Sequence, residues 1–190
     1  KTSSEKYWHK GFLKNLAGMD IKLLSFDCGP SAEDVTIRKG VFVPTDRELC
    51  LEDIERRFAQ YIKQIRKYYH GPIAVENLNY YPSGAYEYIC RPEIIKRLTE
   101  ANDVLILLDI AHLLISSSFL KMEPLAYFDA LPKERIIQIH LSRPAERAGC
   151  LMDAHFLPLS RDKELLVEIL KSISPVYFTV EYRKNKGKLL

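Results

Sequence analysis

The sequence has no long apolar run and no dense tract of positive charge. No apolar stretch approaches the ~20 residues that a membrane-spanning helix needs, because Asp109 and His112 interrupt the best candidate, which starts at Val104. The 190 residues carry a net charge of only +3, and their Lys and Arg residues are dispersed. These two absences argue against a membrane protein and give little support to a nucleic-acid-binding one.

Cysteine is also scarce, and the 190 residues show no signal-peptide pattern. The four cysteines lie far apart and form no CxxC pair; they are Cys28, Cys50, Cys90 and Cys150. In a chain of this size, that spacing is typical of reduced thiols and not of a disulfide framework. Because no signal peptide is present, we expect a cytoplasmic protein. Because the chain starts at Lys1 and not at a methionine, we expect a fragment or a processed product.

Five apolar runs are present, and each stops at a residue that can bind a metal ion. The runs are 21–26 before Asp27, 72–75 before Glu76, 104–108 before Asp109, 135–139 before His140 and 176–180 before Glu181. One such ending means little, since an apolar run must end on some polar residue. Five in succession are not expected by chance, and they predict a site that the ends of parallel strands share.

Helical patterns separate these runs. Thr45-Asp46-Arg47-Glu48 has the form of a capping box and predicts a long helix that reaches about Tyr69. Further helices are predicted near 92–101, near 123–130, and at 160–170, where Ser160 would be the cap. A polar connector is predicted over 29–45, a long loop over 143–159 and a basic, frayed tail over 184–190.

The alternation of strands and helices predicts an α/β fold with a parallel sheet. We expect a TIM (β/α) barrel in which residues 1–190 form one partial domain that supplies the last five βα units. Complete barrels need about 250 residues, so about three N-terminal units would be missing. Residues 1–18 would then be the remaining helix of the preceding unit. An open doubly wound sheet of five strands is the alternative, and it needs no missing part.

Carboxylates and imidazoles at the strand ends and in the loop after the fourth run form the candidate metal site. The candidate ligands are Glu76, Asp109, His112, His140, Asp153, His155, Glu181 and, with less support, Asp27. This mixture suits Fe²⁺, Zn²⁺ or Mn²⁺. The set exceeds what one ion uses, so two or three ions are predicted, with Glu76 or Glu181 as the bridging carboxylate.

Each candidate ligand has a simpler alternative. Glu76 could pair with a neighbouring Lys or Arg, His140 could be a core histidine, and Asp109 could cap the turn that follows it. Three further residues are candidates for substrate binding: Asn77, which could orient or ligate, Tyr80 at the mouth of the site, and Arg143 for an anionic group. Their alternatives are an Asx turn, a core or surface tyrosine, and a solvated surface charge.

The order of the candidate ligands resembles a known arrangement. Glu76, Asp109-x-x-His112, His140, Asp153-x-His155 and Glu181 follow one another as in the xylose-isomerase-like TIM barrel superfamily, where the type IV apurinic endonucleases carry this pattern on a trinuclear zinc site. The resemblance implies the barrel fold and a multinuclear metal site.

The short sequence motifs around these residues are more similar to those of another branch, the multinuclear non-haem iron oxygenases, a family formerly of unknown function. Val75-Glu76-Asn77, the segment 107–118, the helix end 127–132 and Ile139-His140-Leu141 match its motifs. The chain departs from that family at Asp27, where the family has a histidine, and at His112, where it has an asparagine. His112 restores the endonuclease pattern.

The resemblance implies three competing activities. An oxygenase would use ferrous iron and O₂ to oxidise a cysteine-containing peptide, which a partner protein could deliver. A phosphodiesterase would cleave DNA at an abasic site, but few basic residues are placed for it. A sugar isomerase would need a strand-end lysine, which is not found. A non-catalytic scaffold or degenerate barrel is the alternative from another class, and Asp27 favours it.

Overall fold

The structure is a computed structural model that describes residues 15, 16, 18–147 and 149–182. Its strands are β1 (Leu24–Asp27), β2 (Val35–Arg38), β3 (Val41–Pro44), β4 (Ile73–Glu76), β5 (Leu105–Asp109), β6 (Ile136–Leu141), β7 (Arg143–Arg147), β8 (Cys150–Phe156) and β9 (Tyr177–Val180). Its helices are α1 (Leu51–Ile65), α2 (Pro92–Asn102), α3 (Ile110–Leu120), α4 (Pro124–Asp129) and α5 (Ser160–Leu170), with a 3₁₀ turn at Lys133–Arg135. Among the described residues, no helix has the length and apolar character needed to span a bilayer.

A five-stranded parallel sheet organises the molecule, with the strand order β1-β4-β5-β6-β9. All five predicted apolar runs form its strands, and helices α1, α2 and α5 connect strands that are neighbours in this order. The central strand β5 is the most buried, as expected for a strand covered on both faces. β1 and β9 lie at the two edges, and the described residues do not close the sheet.

Two hydrophobic clusters hold the helices against the sheet. One packs α1 against β4 through side chains such as Phe58, Ile65 and Ile73. The other packs β5 and β6 against α3, α4 and α5, with Ile139 and Ile169 at its centre. Burial of large apolar side chains of this kind contributes roughly 1.5–3 kcal/mol each, so the two clusters fix the strands whose ends carry the candidate ligands.

The predicted capping box is wrong. Helix α1 begins at Leu51, and Cys50 precedes it without a side-chain cap. The Thr45 amide instead donates to the Asp34 carbonyl, and Glu48 forms an isolated bridge with Ala32. These residues therefore anchor the segment before the helix. The helix also ends at Ile65, short of the predicted end at Tyr69, and α5 includes Ser160 as its first residue instead of its cap.

Two β-hairpins replace segments predicted as irregular. β2 and β3 form an antiparallel pair within the predicted connector, joined by Lys39 and Gly40, which both have positive φ (52° and 82°). Two consecutive residues of this kind are typical of a type I′ hairpin turn. β7 and β8 form a second antiparallel pair within the predicted loop over 143–159. Helix α3, which follows β5 directly, was not predicted.

The structure does not address the predictions made for the two chain ends. The predicted helix over 1–18 lies outside the described residues except at residues 15, 16 and 18. The predicted tail over 184–190 lies outside them entirely.

Candidate metal centre

The register of the parallel sheet brings the strand-end residues to one edge. Asp27 pairs with Glu76 across β1 and β4, and Asp109 pairs with His140 across β5 and β6. Glu181 follows β9 directly, and its amide donates to the Leu141 carbonyl at 3.0 Å. Ligand atoms of Glu76, Asp109 and His140 all lie within 4.8 Å of one another. That spacing could hold a metal ion.

His112 joins this group from the first turn of α3. Asp109 caps the helix, because its Oδ1 accepts from the His112 amide at 2.8 Å. Residues three apart lie on one face of a helix, so the Asp-x-x-His spacing points both side chains to the strand ends. His112 Nδ1 lies 3.2 Å from Glu76 Oε1, and its Nε2 lies 3.9 Å from Asp153 Oδ2.

The hairpin β7–β8 supplies Asp153 and His155. Arg143 pairs with Phe156 and Ala145 pairs with Met152, so β8 advances by four residues where β7 advances by two. The additional residues form a bulge, a feature that often redirects side chains at functional sites. His155 lies in this bulge with a φ of 48°, which is uncommon for a residue other than glycine.

Glu181 lies between two imidazoles. Its Oε1 is 3.2 Å from His140 Nδ1, and its Oε2 is 2.6 Å from His155 Nε2. The contact with His140 is within ion-pair distance, although it lacks hydrogen-bond geometry. His140 is the largest influence that lowers the pKa of Glu181 to about 2. A glutamate that presents each oxygen to a different group has the arrangement expected of a bridging carboxylate.

The buried carboxylate and imidazole next to it perturb one another. Desolvation raises the pKa of Asp109 to about 6, although the charge of His112 lowers it. Burial alone would lower the pKa of His112, but the neighbouring carboxylates, foremost Asp109, raise it well above its usual value. The pKa of His140 is also raised, because Glu181 outweighs the effect of burial. A metal ion bound by these groups would compete with protons for them.

Buried polar atoms of the cluster that lack a hydrogen bond fit a metal ion. Among the buried side-chain atoms without a hydrogen-bond partner in the described residues, three belong to the cluster: Asp109 Oδ2, Asp153 Oδ1 and His140 Nδ1. Buried polar atoms of this kind are costly unless an ion or water satisfies them. Carboxylate oxygens with imidazole nitrogens are a donor set that Fe²⁺, Zn²⁺ and Mn²⁺ accept. The assignment of the individual ligands stays a prediction.

Asn77 orients Asp109 through its backbone. Its side-chain amide donates to the Asp109 carbonyl at 3.1 Å, and its Oδ1 accepts from the Asp109 amide at 2.7 Å. Asn77 is fully buried, and these two bonds occupy both ends of its amide. The structure therefore places it beside the candidate ligands, with its side chain bonded to the backbone of Asp109 and not in an Asx turn.

The remaining predicted residues lie further from the cluster or have other partners. Asp27 is exposed at the sheet edge, and partial desolvation followed by the charge of Glu76 raises its pKa. The Tyr80 hydroxyl donates to Glu87 Oε1 at 2.6 Å. The Arg143 guanidinium lies 5.3 Å from the centre of the Phe156 ring. For Tyr80 and Arg143, the structure gives no contact with the strand-end group.

Two residues near the cluster have supporting contacts that were not predicted. Gln138 Nε2 lies 2.8 Å from His140 Nε2, so it fixes the orientation of that imidazole. Gln138 is two positions before His140 and therefore on the same face of β6. This position in the sequence could have indicated a role beside His140, since Gln138 is the one side-chain amide in an otherwise apolar part of the strand. Tyr81 is the second residue, and its hydroxyl accepts from the Asp153 amide at 3.2 Å.

Comparison with known protein families gives one family match. The family described as RiPP precursor modification enzyme MbnB/TglH/ChrH matches residues 49–189. Among curated proteins, a UPF0276 protein of Acaryochloris marina is 28% identical over 132 residues, which are 69% of this chain and 48% of that protein. A UPF0276 protein of Shewanella loihica is 28% identical over 105 residues, which are 55% of this chain and 37% of that protein. The chain thus spans about half or less of the length of these relatives.

Solved structures support the fold. The 3-keto-D-glucoside 4-epimerase YcjR of E. coli has a TM-score of 0.51 and 15% identity, with coverage of 92% of this chain and 62% of that chain. A D-psicose 3-epimerase of Clostridium cellulolyticum has a TM-score of 0.50 and 14% identity, with coverage of 92% and 55%. Identity this low bears on the fold alone. With the parallel sheet, these likenesses confirm the predicted TIM barrel of the xylose-isomerase-like type, present here in part, over the open doubly wound sheet.

Proposed function

The chain belongs to the MbnB/TglH/ChrH family of RiPP precursor modification enzymes, and from this premise we propose that it is a metal-dependent enzyme that modifies a ribosomally synthesised peptide. The observation that carries the proposal is the strand-end group in which ligand atoms of Glu76, Asp109 and His140 approach within 4.8 Å. Two of these residues, Asp109 and His140, have a buried polar atom that makes no hydrogen bond. A peptide-modifying enzyme needs such a centre when amino-acid side chains cannot supply the chemistry.

We further propose that the centre holds two or three divalent ions. Glu76, Asp109 and His140 would hold one side of it, with His112 beside Glu76 at 3.2 Å. Asp153, His155 and Glu181 would complete the centre, where Glu181 contacts the imidazoles of both His140 and His155.

Iron is the metal we propose, with zinc and manganese as the alternatives. A non-haem iron centre supplies one-electron and O₂ chemistry that the protein's own side chains lack. The resemblance to the multinuclear iron oxygenases supports iron, and it supports a cysteine-containing peptide as the substrate. A partner protein that delivers the peptide is part of the same proposal.

The residues around the centre would position the substrate and exclude water. Asn77 and Gln138 hold Asp109 and His140 in place through the contacts described above. An apolar cavity of about 340 Å³ adjoins the centre at Asp27, and its lining includes Phe42 and Leu78. That volume gives room for part of a peptide beside the strand ends. Family membership favours this substrate class over abasic DNA or a sugar.

The experiment loads the chain anaerobically with Fe²⁺, Zn²⁺ or Mn²⁺ and adds a cysteine-containing peptide with or without O₂. Mass spectrometry should detect a modified peptide only with Fe²⁺ and O₂. A peptide with serine in place of cysteine is the substrate control. His140→Ala should abolish the change, whereas His70→Ala, at an exposed residue outside the centre, should not.

Other outcomes would contradict the proposal in distinct ways. Modification that proceeds equally with Zn²⁺, or without O₂, would reject the oxygenase. Cleavage of an abasic DNA duplex by the metal-loaded chain, with the peptide unchanged, would favour the phosphodiesterase. Absence of bound metal would favour the scaffold alternative.

A further inference from the structure

Tyr81 is a buried tyrosine with a fixed ring. Its residue is 4% exposed, and it lies in the segment between β4 and α2. The ring meets Tyr86 at a centroid distance of 5.5 Å and Phe119 at 5.7 Å, both edge to face. Such contacts restrict the side chain to one orientation. The hydroxyl therefore has a defined position in the fold.

That hydroxyl faces the bulge in β8. It accepts a hydrogen bond from the Asp153 amide at 3.2 Å, and the Asn79 side-chain amide donates to it at 3.3 Å. Asp153 lies between Met152 and Phe156, the two positions of β8 that pair with β7 on either side of the bulge. A bulge disrupts the ladder of its strand, and a buried amide that loses its partner is costly. Tyr81 supplies a partner from outside the hairpin.

The backbone of the bulge has to hold two side chains in different places, because Asp153 and His155 contact different neighbours. A contact from outside the hairpin would fix that backbone. Asp153 approaches His112 at 3.9 Å, and His155 approaches Glu181 at 2.6 Å. His155 also has a φ of 48°, a conformation that persists in such residues only when the surroundings enforce it. The Asp153 amide is two residues from that strained position. The hydrogen bond from the Asp153 amide to Tyr81 therefore restricts the backbone conformations that the bulge can adopt.

We propose that Tyr81 is a positioning residue that fixes the bulge of β8, and thereby sets both Asp153 and His155 in place for the metal centre. The proposal rests on the proposed function, since it assumes that these two side chains bind metal. Tyr81 would then influence metal affinity without contacting a metal ion itself. It lies more than seventy residues before Asp153 in the sequence.

Tyr86 offers a matched control. It is also a buried tyrosine, at 3% exposure, and belongs to the same aromatic cluster. Its hydroxyl likewise accepts from one backbone amide, that of Phe42 at 3.0 Å. Phe42 lies in β3, away from the bulge. Tyr81→Phe and Tyr86→Phe therefore each delete one hydroxyl from one cluster, and only the first releases the Asp153 amide.

The experiment measures Co²⁺ binding by the full chain of wild type and both variants, by chelator competition and by the visible spectrum of the bound ion. Tyr81→Phe should weaken affinity roughly 10- to 100-fold and alter the spectrum, whereas Tyr86→Phe should stay within about threefold of wild type with its spectrum unchanged. Urea unfolding with chelator present should show similar losses of stability for both variants.

Each other outcome decides a separate point. Wild-type affinity and spectrum in Tyr81→Phe, with Co²⁺ bound by the wild type, would overturn the positioning role alone. Failure of the wild type to bind Co²⁺ would overturn the proposed centre itself. If Tyr81→Phe does not fold while Tyr86→Phe does, Tyr81 serves the fold as a whole and the inference is wrong.

Discussion

Replacing Asp109 with asparagine should make the metal-free chain more stable while weakening its affinity for metal. Asp109 is 1% exposed, and its Oδ2 has no hydrogen-bond partner among the described residues. Asparagine has the same shape and keeps an oxygen that can accept from the His112 amide, as Asp109 Oδ1 does at 2.8 Å. The substitution thus removes a buried charge and retains the helix cap.

The size of the gain follows from the pKa of Asp109. Desolvation raises this pKa from 3.8 to about 6, even though His112 acts in the opposite direction. One pKa unit corresponds to about 1.4 kcal/mol, so the ionised carboxylate costs roughly 3 kcal/mol of stability above pH 6. For a chain of this size, removing that cost should raise the melting temperature by roughly 6–12 °C.

The gain should depend on pH in a defined direction. A carboxyl group whose folded pKa exceeds its unfolded pKa costs stability above the folded value, because the unfolded chain ionises more easily. The cost fades as the pH falls from 6 towards 3.8 and is absent below that, since the group is then protonated in both states. Asp109→Asn should therefore stabilise the chain at pH 7.5 and have little effect at pH 3.5.

The assay is urea unfolding with chelator present at both pH values, together with metal affinity at pH 7.5. Asp162→Asn is the control, because Asp162 is also buried and accepts from a backbone amide, that of Leu159 at 2.7 Å, but lies outside the centre. It should bring no gain in stability and no loss of affinity. A destabilised Asp109→Asn chain at pH 7.5, or one with wild-type metal affinity, would refute the reasoning.

Three further substitutions test the site and the core separately. His155→Ala should lower the metal content measured by elemental analysis, because it removes the imidazole that contacts Glu181 at 2.6 Å; unchanged content would contradict its assignment. Asp27→Ala should lower metal content less than His155→Ala does, because Asp27 is exposed at the sheet edge, and the reverse order would show the assignment to be wrong. Phe58→Ala should lower the free energy of unfolding in urea by about 3–5 kcal/mol, because this side chain is 2% exposed in the core, yet leave metal stoichiometry at saturation unchanged.

The sequence sufficed to predict the parallel sheet and the grouping of its strand-end residues at one edge, for a physical reason. Strands buried on both faces are continuous apolar runs, so their ends are visible without a structure. Parallel register then places those ends at one edge, which is how Asp109 and His140 come to be paired. His112 was predicted from the order of the candidate ligands and not from a helix start, because helix α3, which positions it, was not predicted.

The hairpins and α3 were harder to predict, for different reasons. α3 is buried on most of its faces, so it lacks the one-sided apolar pattern by which helices are recognised. β7 and β8 carry mixed polar residues, and their pairing depends on contacts with α3 that are distant in sequence. The turn at Lys39 and Gly40 could have been predicted from the sequence, because an X-Gly pair between Val-rich segments is a known hairpin signal.

Supporting residues escaped prediction because their role depends on tertiary contacts. Nothing near Tyr81 in the sequence indicates the amide of Asp153, since the two meet only through the packing of the hairpin. Thr45–Glu48 shows the opposite error, because it has the local pattern of a helix start while its backbone pairs with residues 32–34 instead. Local patterns therefore predicted the residues that end strands, and failed for most helix starts and for residues that connect separate segments.

The metal content of the purified chain tests the central claim most directly. Wild type, His140→Ala and His70→Ala would be loaded anaerobically with Fe²⁺, desalted and measured by elemental analysis. The account predicts two or three ions per chain in the wild type and in His70→Ala, and fewer in His140→Ala. A wild-type chain without bound iron, or a His140→Ala chain that retains the wild-type content, would contradict it.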